Sequence, residues 1–318
     1  MLRFSTDDYP ENRRVEAYRE IFGRTIVKHD VEPIGDEPLR IDATLCGLPG
    51  LGLASSIISP CRRWHGPQHI DSDDLVLGLS LGGGCTLYQL GREVTIGEGE
   101  AVLTNCAEPA KVVIPCASQP VSLRIPSSIL RSRIADLEDR LPLKILRSVE
   151  GMLLAGYVGA IWNTDALMQP KLRDVVVAHV HDLVCLMLGA NGDARELAEQ
   201  RGARAARRSA ILREIKNRSG DLGLSAATIA VLLGVTPRYV HLLLEETGKS
   251  FTHHVLARRL ERATALLRDP LQSTRKIADI AAEAGFTDLS YFNRAFRRHF
   301  GATPSDIRAD AIVAKRAP

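Results

Sequence analysis

Apolar residues recur with a helical period through the last third of the chain and as short strand-like runs through the first part. Between 280 and 301, Ile280, Ala281 and Ala284 form the apolar side of a short helix. Gly285 permits a tight turn, and Thr287 stands where a side-chain oxygen would cap the next helix. Phe292, Ala295, Phe296 and Phe300 then recur at i, i+3, i+4 and i+8, which predicts one buried face. The opposite stripe carries Ser290, Asn293, Arg294 and Arg297, groups suited to base edges and phosphates. Helix, glycine turn and helix with a polar outer stripe is the pattern of a DNA-reading helix-turn-helix.

The pattern occurs twice. Ile229, Ala230, Leu233, Gly234, Val235 and Thr236 precede their counterparts Ile280 to Thr287 by 51 positions. After the turn the offset becomes 52, with Val240 and Leu244 matching Phe292 and Phe296. Between the copies, Val255, Leu256, Leu260, Ala263 and Leu267 make an apolar stripe beside Arg258, Arg259 and Arg262, which predicts a long joining helix. The predicted recognition helices are Pro237 to Glu246 and Asp288 to Phe300. Held by one stiff helix, they can address successive major grooves, about 34 Å apart. Arg238, His241, Ser290, Asn293 and Arg294 are the candidate base contacts, with Leu242 and Leu289 suited to a thymine methyl. Arg258, Arg259, Arg297 and Arg298 are the candidate phosphate contacts.

Four stretches carry a family likeness: GVTPRYV from Gly234, the turn Thr247-Gly248-Lys249-Ser250-Phe251, ARRLERATALL from Ala257, and AGFTDLSYFNRAFRRHFG from Ala284 followed by Thr303-Pro304-Ser305. Through them, residues 207 to 311 resemble the DNA-binding domain of the AraC/XylS family of bacterial transcription regulators. Three positions depart from the usual pattern. Leu242 stands where an arginine is common, Leu244 replaces a common phenylalanine, and Leu289 occupies a place that is often polar. The resemblance implies a transcriptional activator under small-molecule control that binds duplex DNA, forms a homodimer and contacts RNA polymerase.

Charge divides the chain at the same place. Residues 207–318 hold 19 Lys and Arg against 11 Asp and Glu, whereas residues 1–206 hold 22 against 27. The whole-chain balance of +3 conceals a basic C-terminal part, as phosphate contact requires.

From Thr25 to Ile125 short runs separated by turn residues predict strands at Thr25–Val31, Leu39–Leu45, Leu51–Ser59, Leu75–Leu81, Cys85–Leu90, Glu93–Ile96, Ala101–Thr104, Lys111–Ile114 and Val121–Ile125. Many short strands at close spacing indicate a sandwich or barrel. The segment resembles the cupin-like sensory domain that precedes the DNA-binding part in this family. Helical periodicity returns at Pro126–Leu141, Lys144–Trp162 and Pro170–Leu188. In the last of these, Val176, Val180, Leu183, Val184 and Met187 form a stripe suited to a second subunit or to covering the barrel, the dimer contact being preferred. The polar stretch up to Arg204 reads as linker and part-helix, and Arg207 to Arg218 as the first helix of the DNA-binding domain.

The expected fold is therefore an α+β multidomain chain: a cupin-like β-barrel with appended helices over 1–190, a linker over 191–206, and an all-α domain with two helix-turn-helix motifs over 207–318. No run of 18 apolar residues exists and the N-terminus lacks a signal-peptide core, so a cytoplasmic protein without membrane attachment is expected. Cys46, Cys61, Cys85, Cys106, Cys116 and Cys185 show no zinc spacing and read as small buried residues, with a redox pair as the lesser alternative.

Some cupins are metal enzymes, which gives a rival reading of the barrel. His65 and His69 are four apart, but no glutamate follows at ligand spacing and the next histidine is His181. Neither a metal site, a cofactor nor catalysis is expected. Arg62, Arg63, Trp64 and His65 are instead the candidate effector-pocket residues, an arginine favouring an anionic ligand.

Overall fold

The computed structural model describes residues 1–316 apart from 163, 165, 166 and 168, so the parts of the expected domains on those positions and on 317–318 lie outside the described residues. The chain divides into two compact units, Met1–Ala206 and Arg207–Pro318.

The N-terminal unit contains twelve strands among the described residues: β1 (Leu2–Ser5), β2 (Asp30–Pro33), β3 (Ile41–Leu48), β4 (Leu51–Ile58), β5 (Cys61–His65), β6 (Leu75–Ser80), β7 (Cys85–Gln89), β8 (Arg92–Ile96), β9 (Ala101–Asn105), β10 (Ala110–Ile114), β11 (Pro120–Ile125) and β12 (Leu143–Ile145). One antiparallel sheet runs β1-β3-β4-β11-β6-β9-β12 and the other β2-β5-β10-β7-β8. The middle strands of the larger sheet, β11, β6 and β9, are largely buried on both faces. Leu75, Leu77, Leu79, Val121, Leu123 and Ile125 join a core with the helices, while the intervening Val76, Gly78, Ser80 and Ser122 line a cavity inside the barrel. Burial on both faces removes the strict alternation expected of a half-exposed strand.

Three features of this unit differ from the sequence expectation. The Thr25–Val31 strand is instead the end of helix α1 (Glu11–Thr25) and the start of β2. Tyr18, Phe22 and Ile26 share helical spacing and are buried together, and that packing outweighs the β-branched run at 25–27. The predicted helix Pro126–Leu141 shrinks to α2 (Ser127–Arg131), and the next expected helix begins as β12 before α3 (Val149–Trp162). Strands β1, β5 and β12 had no expectation.

Helix α4 (Pro170–Met187) carries the stripe assigned by preference to a dimer. Val176, Val180, Leu183, Val184 and Met187 are buried in the core with the barrel strands and α3. Covering its own barrel is therefore what that stripe does. The expected linker is also structured. Residues 192–203 continue as α5 (Gly192–Ala198) and a π-turn into α6 (Arg204–Asn217), with Ala198, Ala203 and Ala206 buried. Arg201 clamps the fully buried Asp182 through two hydrogen bonds of 2.6 and 2.7 Å, with Arg133 on the same carboxylate at 3.2 Å. A buried carboxylate is tolerable only with such partners. A Cβ on Gly202 would lie 2.9 Å from the His179 carbonyl, so glycine is required for this approach.

The second unit is helical: the rest of α6, then α7 (Ala226–Leu233), α8 (Pro237–Glu245), α9 (Phe251–Arg268), α10 (Ile277–Glu283), α11 (Leu289–Phe300) and α12 (Pro304–Arg316). It holds two small cores. Ile211, Ile229, Val240, Leu243 and Leu244 fill the first, and Ile280, Phe286, Phe292 and Phe296 the second. Helix α9 serves both, giving Phe251 and Val255 to one and Leu260, Ala263 and Leu267 to the other. At 18 residues it is about 27 Å long.

Candidate DNA-reading surface and effector cavity

The two motifs close their turns through equivalent hydrogen bonds. Val235 N–H donates to the Ala230 carbonyl and Phe286 N–H to the Ala281 carbonyl, each at 2.9 Å. Gly234 and Gly285 occupy the left-handed region, at φ 64° and 96°. The first turn bends the chain by 104° between α7 and α8, within the range of helix-turn-helix motifs.

The caps explain the shift of offset from 51 to 52. Thr236 caps α8 by accepting from Tyr239 N–H at 3.2 Å, whereas the residue capping α11 is Asp288, accepting from Tyr291 N–H at 2.9 Å. The oxygen expected from Thr287 comes from its neighbour, because the second turn is one residue longer.

On α11, Phe292, Ala295 and Phe296 are buried, while Leu289, Ser290, Asn293, Arg294, Arg297 and Arg298 are exposed. On α8, Val240, Leu243 and Leu244 are buried, while Arg238, His241 and Leu242 are exposed. Leu242 and Leu289 are 44% and 42% exposed, unusual for leucines with a free choice of burial. The His241 ring lies edge-on to Phe251, with centroids 6.3 Å apart.

Ion pairing sorts the arginines. Among the described residues, no carboxylate lies within 4 Å of Arg238, Arg294, Arg297 or Arg298. Arg208 pairs with Glu246, Arg258 with Glu261 at 2.6 Å, and Arg275 with Glu283 at 2.6 Å. Arg259 is turned inward. It donates from Nε to the Ser219 carbonyl at 2.8 Å and from Nη2 to the Asp221 carbonyl at 3.0 Å, and burial lowers its pKa. The structure thus gives Arg259 the work of tying the α6–α7 loop, and Arg258 an acidic neighbour, where the sequence suggested phosphate anchors for both.

Inside the N-terminal barrel lies a cavity of about 120 Å³. Side chains on β5 alternate between its two faces. Arg63 and His65 therefore line the cavity, while Arg62 is exposed and Trp64 faces a separate outer depression beside Tyr88 and Lys111. Only half of the predicted quartet belongs to the cavity.

His65 is held by carbonyls on both ring nitrogens, Lys28 O at 2.7 Å and Cys106 O at 2.8 Å, so neither is open to a metal. It sits at the end of strand β5. Among the described residues, no group of three His, Cys, Asp or Glu side chains is placed to hold a metal ion.

Sequence reasoning missed Tyr18 and His29, which reach this region from α1 and from the segment after it. Helical spacing of Val15, Tyr18, Phe22 and Ile26 was the available signal. Arg63 Nη1 approaches the Tyr18 hydroxyl at 3.4 Å, and burial pushes the Tyr18 pKa up to about 12. Four cysteines are buried, but Cys85 is only partly so and Cys116 is exposed, which departs from the uniform expectation. Burial raises the pKa of the Cys61 and Cys85 thiols and pushes that of Cys106 to about 12, which leaves them protonated and poorly nucleophilic. No single helix among the described residues is long and apolar enough to cross a membrane.

Known proteins share both units. An AraC-binding-like domain matches residues 18–189, more than half of the chain, and a helix-turn-helix domain matches residues 229–310. The transcriptional activator RhrA of Rhizobium meliloti (strain 1021) is 31% identical over 176 residues, 55% of this chain and 51% of RhrA. The transcriptional activator NphR of a Rhodococcus species is 28% identical over 257 residues, 77% of this chain and 73% of NphR. The chain thus spans about half the length of the first of these relatives. The crystal structure of the AraC-like transcriptional activator CuxR superposes with a TM-score of 0.51 at 17% identity, covering 89% of this chain and 99% of CuxR, a likeness of fold. With its N-terminal domain match spanning more than half its length and its C-terminal unit carrying the duplicated motif, this chain belongs to the AraC family of transcriptional regulators.

Proposed function

We propose that this protein is a sequence-specific DNA-binding regulator that activates transcription under the control of a small molecule held in its N-terminal barrel. One observation carries the reading. Among the described residues the arginines on the outer stripes of the two recognition helices make no ion pair within 4 Å, Arg297 having only the more distant Asp306 beside it, while Arg208, Arg258 and Arg275 of the same unit are paired. A protein retains exposed, unpaired and clustered guanidinium groups where an anion will meet them.

In this reading α8 and α11 enter successive major grooves. Arg238, His241, Ser290, Asn293 and Arg294 contact bases, with Leu242 and Leu289 against thymine methyls. Arg297 and Arg298 hold phosphates. The effector acts by binding two states of the protein with different affinity, without which no ligand shifts an equilibrium. Homodimerisation, RNA polymerase contact and a cytoplasmic location complete the proposal, the first two as family expectations.

The test is titration of a labelled duplex with the full chain at several salt concentrations. The two arginine–phosphate neutralisations assigned to Arg297 and Arg298 give a slope of about −1.8 in log affinity against log salt. Absence of duplex binding, or binding indifferent to salt, overturns the reading. Elemental analysis of the purified protein addresses the metal-enzyme alternative, which a stoichiometric ion would revive.

A further inference from the structure

The barrel cavity is apolar over most of its wall, including Phe22, Ile26, Leu87, Ile96, Val102 and Ile114. Most of its polar residues are already satisfied. Gln89 donates to the Asn105 and Glu108 carbonyls, and the single hydroxyl protons of Ser80 and Ser118 are shared, the first between the Gly82 and Gly83 carbonyls and the second between the Gly84 and Cys116 carbonyls. Two residues stand out. Arg63 Nε and His29 Nε2 are buried without a hydrogen-bond partner. Among the described residues no carboxylate lies within 4 Å of Arg63; its one polar contact is the long one to Tyr18.

A permanently charged guanidinium in an apolar chamber without a counter-charge is a costly arrangement. Proteins keep such groups where a ligand completes them. His29 adds a second requirement. Its Nδ1 lies 3.0 Å from the Val27 carbonyl and burial holds its pKa well below the ordinary value, so the neutral ring carries its proton on Nδ1. Nε2 is then an acceptor, and it needs a donor. The volume, about 120 Å³, is close to that of a cavity that takes up one aromatic ring.

We propose that this cavity binds a small carboxylic acid with a compact apolar body, its carboxylate paired with Arg63 and a hydroxyl of the same molecule donating to His29. This rests on the effector-controlled reading above and names the chemical class of that effector. The carboxylate supplies the missing counter-charge, and the apolar body replaces poorly hydrated cavity space.

The test uses the full chain and a defined set of probes: butyrate, hexanoate, benzoate, hydroxybutyrate and the three hydroxybenzoates, each beside its neutral amide, followed by calorimetry and thermal unfolding. At least one acid is expected to bind and raise the unfolding midpoint, while its amide does not. Hydroxylated acids are expected to bind more tightly than the parents, and His29→Phe to remove that increment while leaving the parents unchanged. Arg63→Met is expected to weaken acid binding by about 30-fold or more. The same variant is expected to raise the ligand-free unfolding midpoint, because a partly buried charge without a counter-charge is gone. A purely structural arginine predicts the opposite, a lower midpoint with unchanged binding.

Equal binding of acids and amides, failure of every acid, or an Arg63→Met protein with wild-type acid affinity overturns the proposal. Absence of the hydroxyl increment overturns the role of His29. Salt-dependent duplex binding, measured on the same preparations, separates the two readings. Intact DNA binding without acid binding removes the cavity assignment alone, and acid binding without DNA binding removes the regulator.

Discussion

The two helix-turn-helix motifs share a backbone plan and differ in what each is made of. The first core is aliphatic, built on Ile229, Val240, Leu243 and Leu244. The second is a run of aromatic contacts, Phe286–Phe292, Phe292–Phe296 and Phe296–Phe300, with centroids 4.9, 5.4 and 4.7 Å apart. Their outer faces differ in the same sense. Helix α8 presents Arg238, His241 and an exposed Leu242 and ends on Glu245, whereas α11 presents Ser290, Asn293 and three exposed arginines. A duplicated scaffold thus keeps the turn chemistry and lets core and reading face drift apart. On this surface we expect α11 to supply more of the hydrogen-bonded readout, and α8 more of the apolar and phosphate contact.

Core truncation gives the largest effect by which that contrast can be broken. Phe296→Ala should cost about 3 to 5 kcal/mol and Leu244→Ala about 2 to 5, both side chains being fully buried. Urea unfolding of the full chain measures both, and a Phe296→Ala cost under about 1 kcal/mol would mean the aromatic run is not a core.

The turn glycines come next. A Cβ on Gly285 would meet Arg259 Nε and the Ser219 carbonyl at 2.8 Å each, while one on Gly234 has open space around it. Gly234→Ala should cost about 1 to 2 kcal/mol for its left-handed backbone alone, and Gly285→Ala distinctly more. Equal costs would show that the close approach yields easily.

Binding changes are of similar or smaller size. Arg294→Ala should lose about 1 to 3 kcal/mol at a cognate duplex and relax preference there. Arg298→Ala should weaken all duplexes alike and reduce the salt slope by about 1. If both act equally on cognate and random DNA, the division into readers and anchors fails. Leu242→Ser, at an exposed position, should leave stability within about 0.5 kcal/mol while altering affinity for thymine-containing sites.

The smallest effect concerns pH. Burial lowers the pKa of His254, which shares a 2.8 Å hydrogen bond with Thr247 at the start of α9. A base depressed in the folded state takes its proton first when unfolded, so stability falls as pH drops below about 6.5. Unfolding titrations of His254→Gln beside the parent should show a slightly shallower acid limb, an unchanged limb excluding the histidine.

Much of the C-terminal unit was legible because helical periodicity, glycine turns and duplication all act locally in the chain. Ile229 and Ile280, Val240 and Phe292, Leu244 and Phe296 were placed correctly in buried faces by spacing alone. The cap at Asp288 escaped because Thr287 also offers an acceptor oxygen in sequence, and only the longer turn decides between them. The barrel was legible as a series of strands but not as a site. Whether Arg62 or Arg63 faces inward depends on the pairing of β5 with β2 and β10, and His29 comes to line the same cavity as Arg63 only through that long-range register. The role of α4 was undecidable by periodicity, since a stripe that covers a barrel and one that covers a second subunit have the same spacing.

Helix α9 carries residues of both cores on one continuous rod, and the motifs at its two ends are unlike. In the reading proposed here, such a rod gives the bound site a head and a tail. Inverting the site would bring α8 to bases suited to α11 and the reverse, which a palindrome-reading pair of identical heads would never notice. The asymmetry between Leu242 and Arg294 thereby becomes an arrow along the duplex, telling the protein which way is downstream.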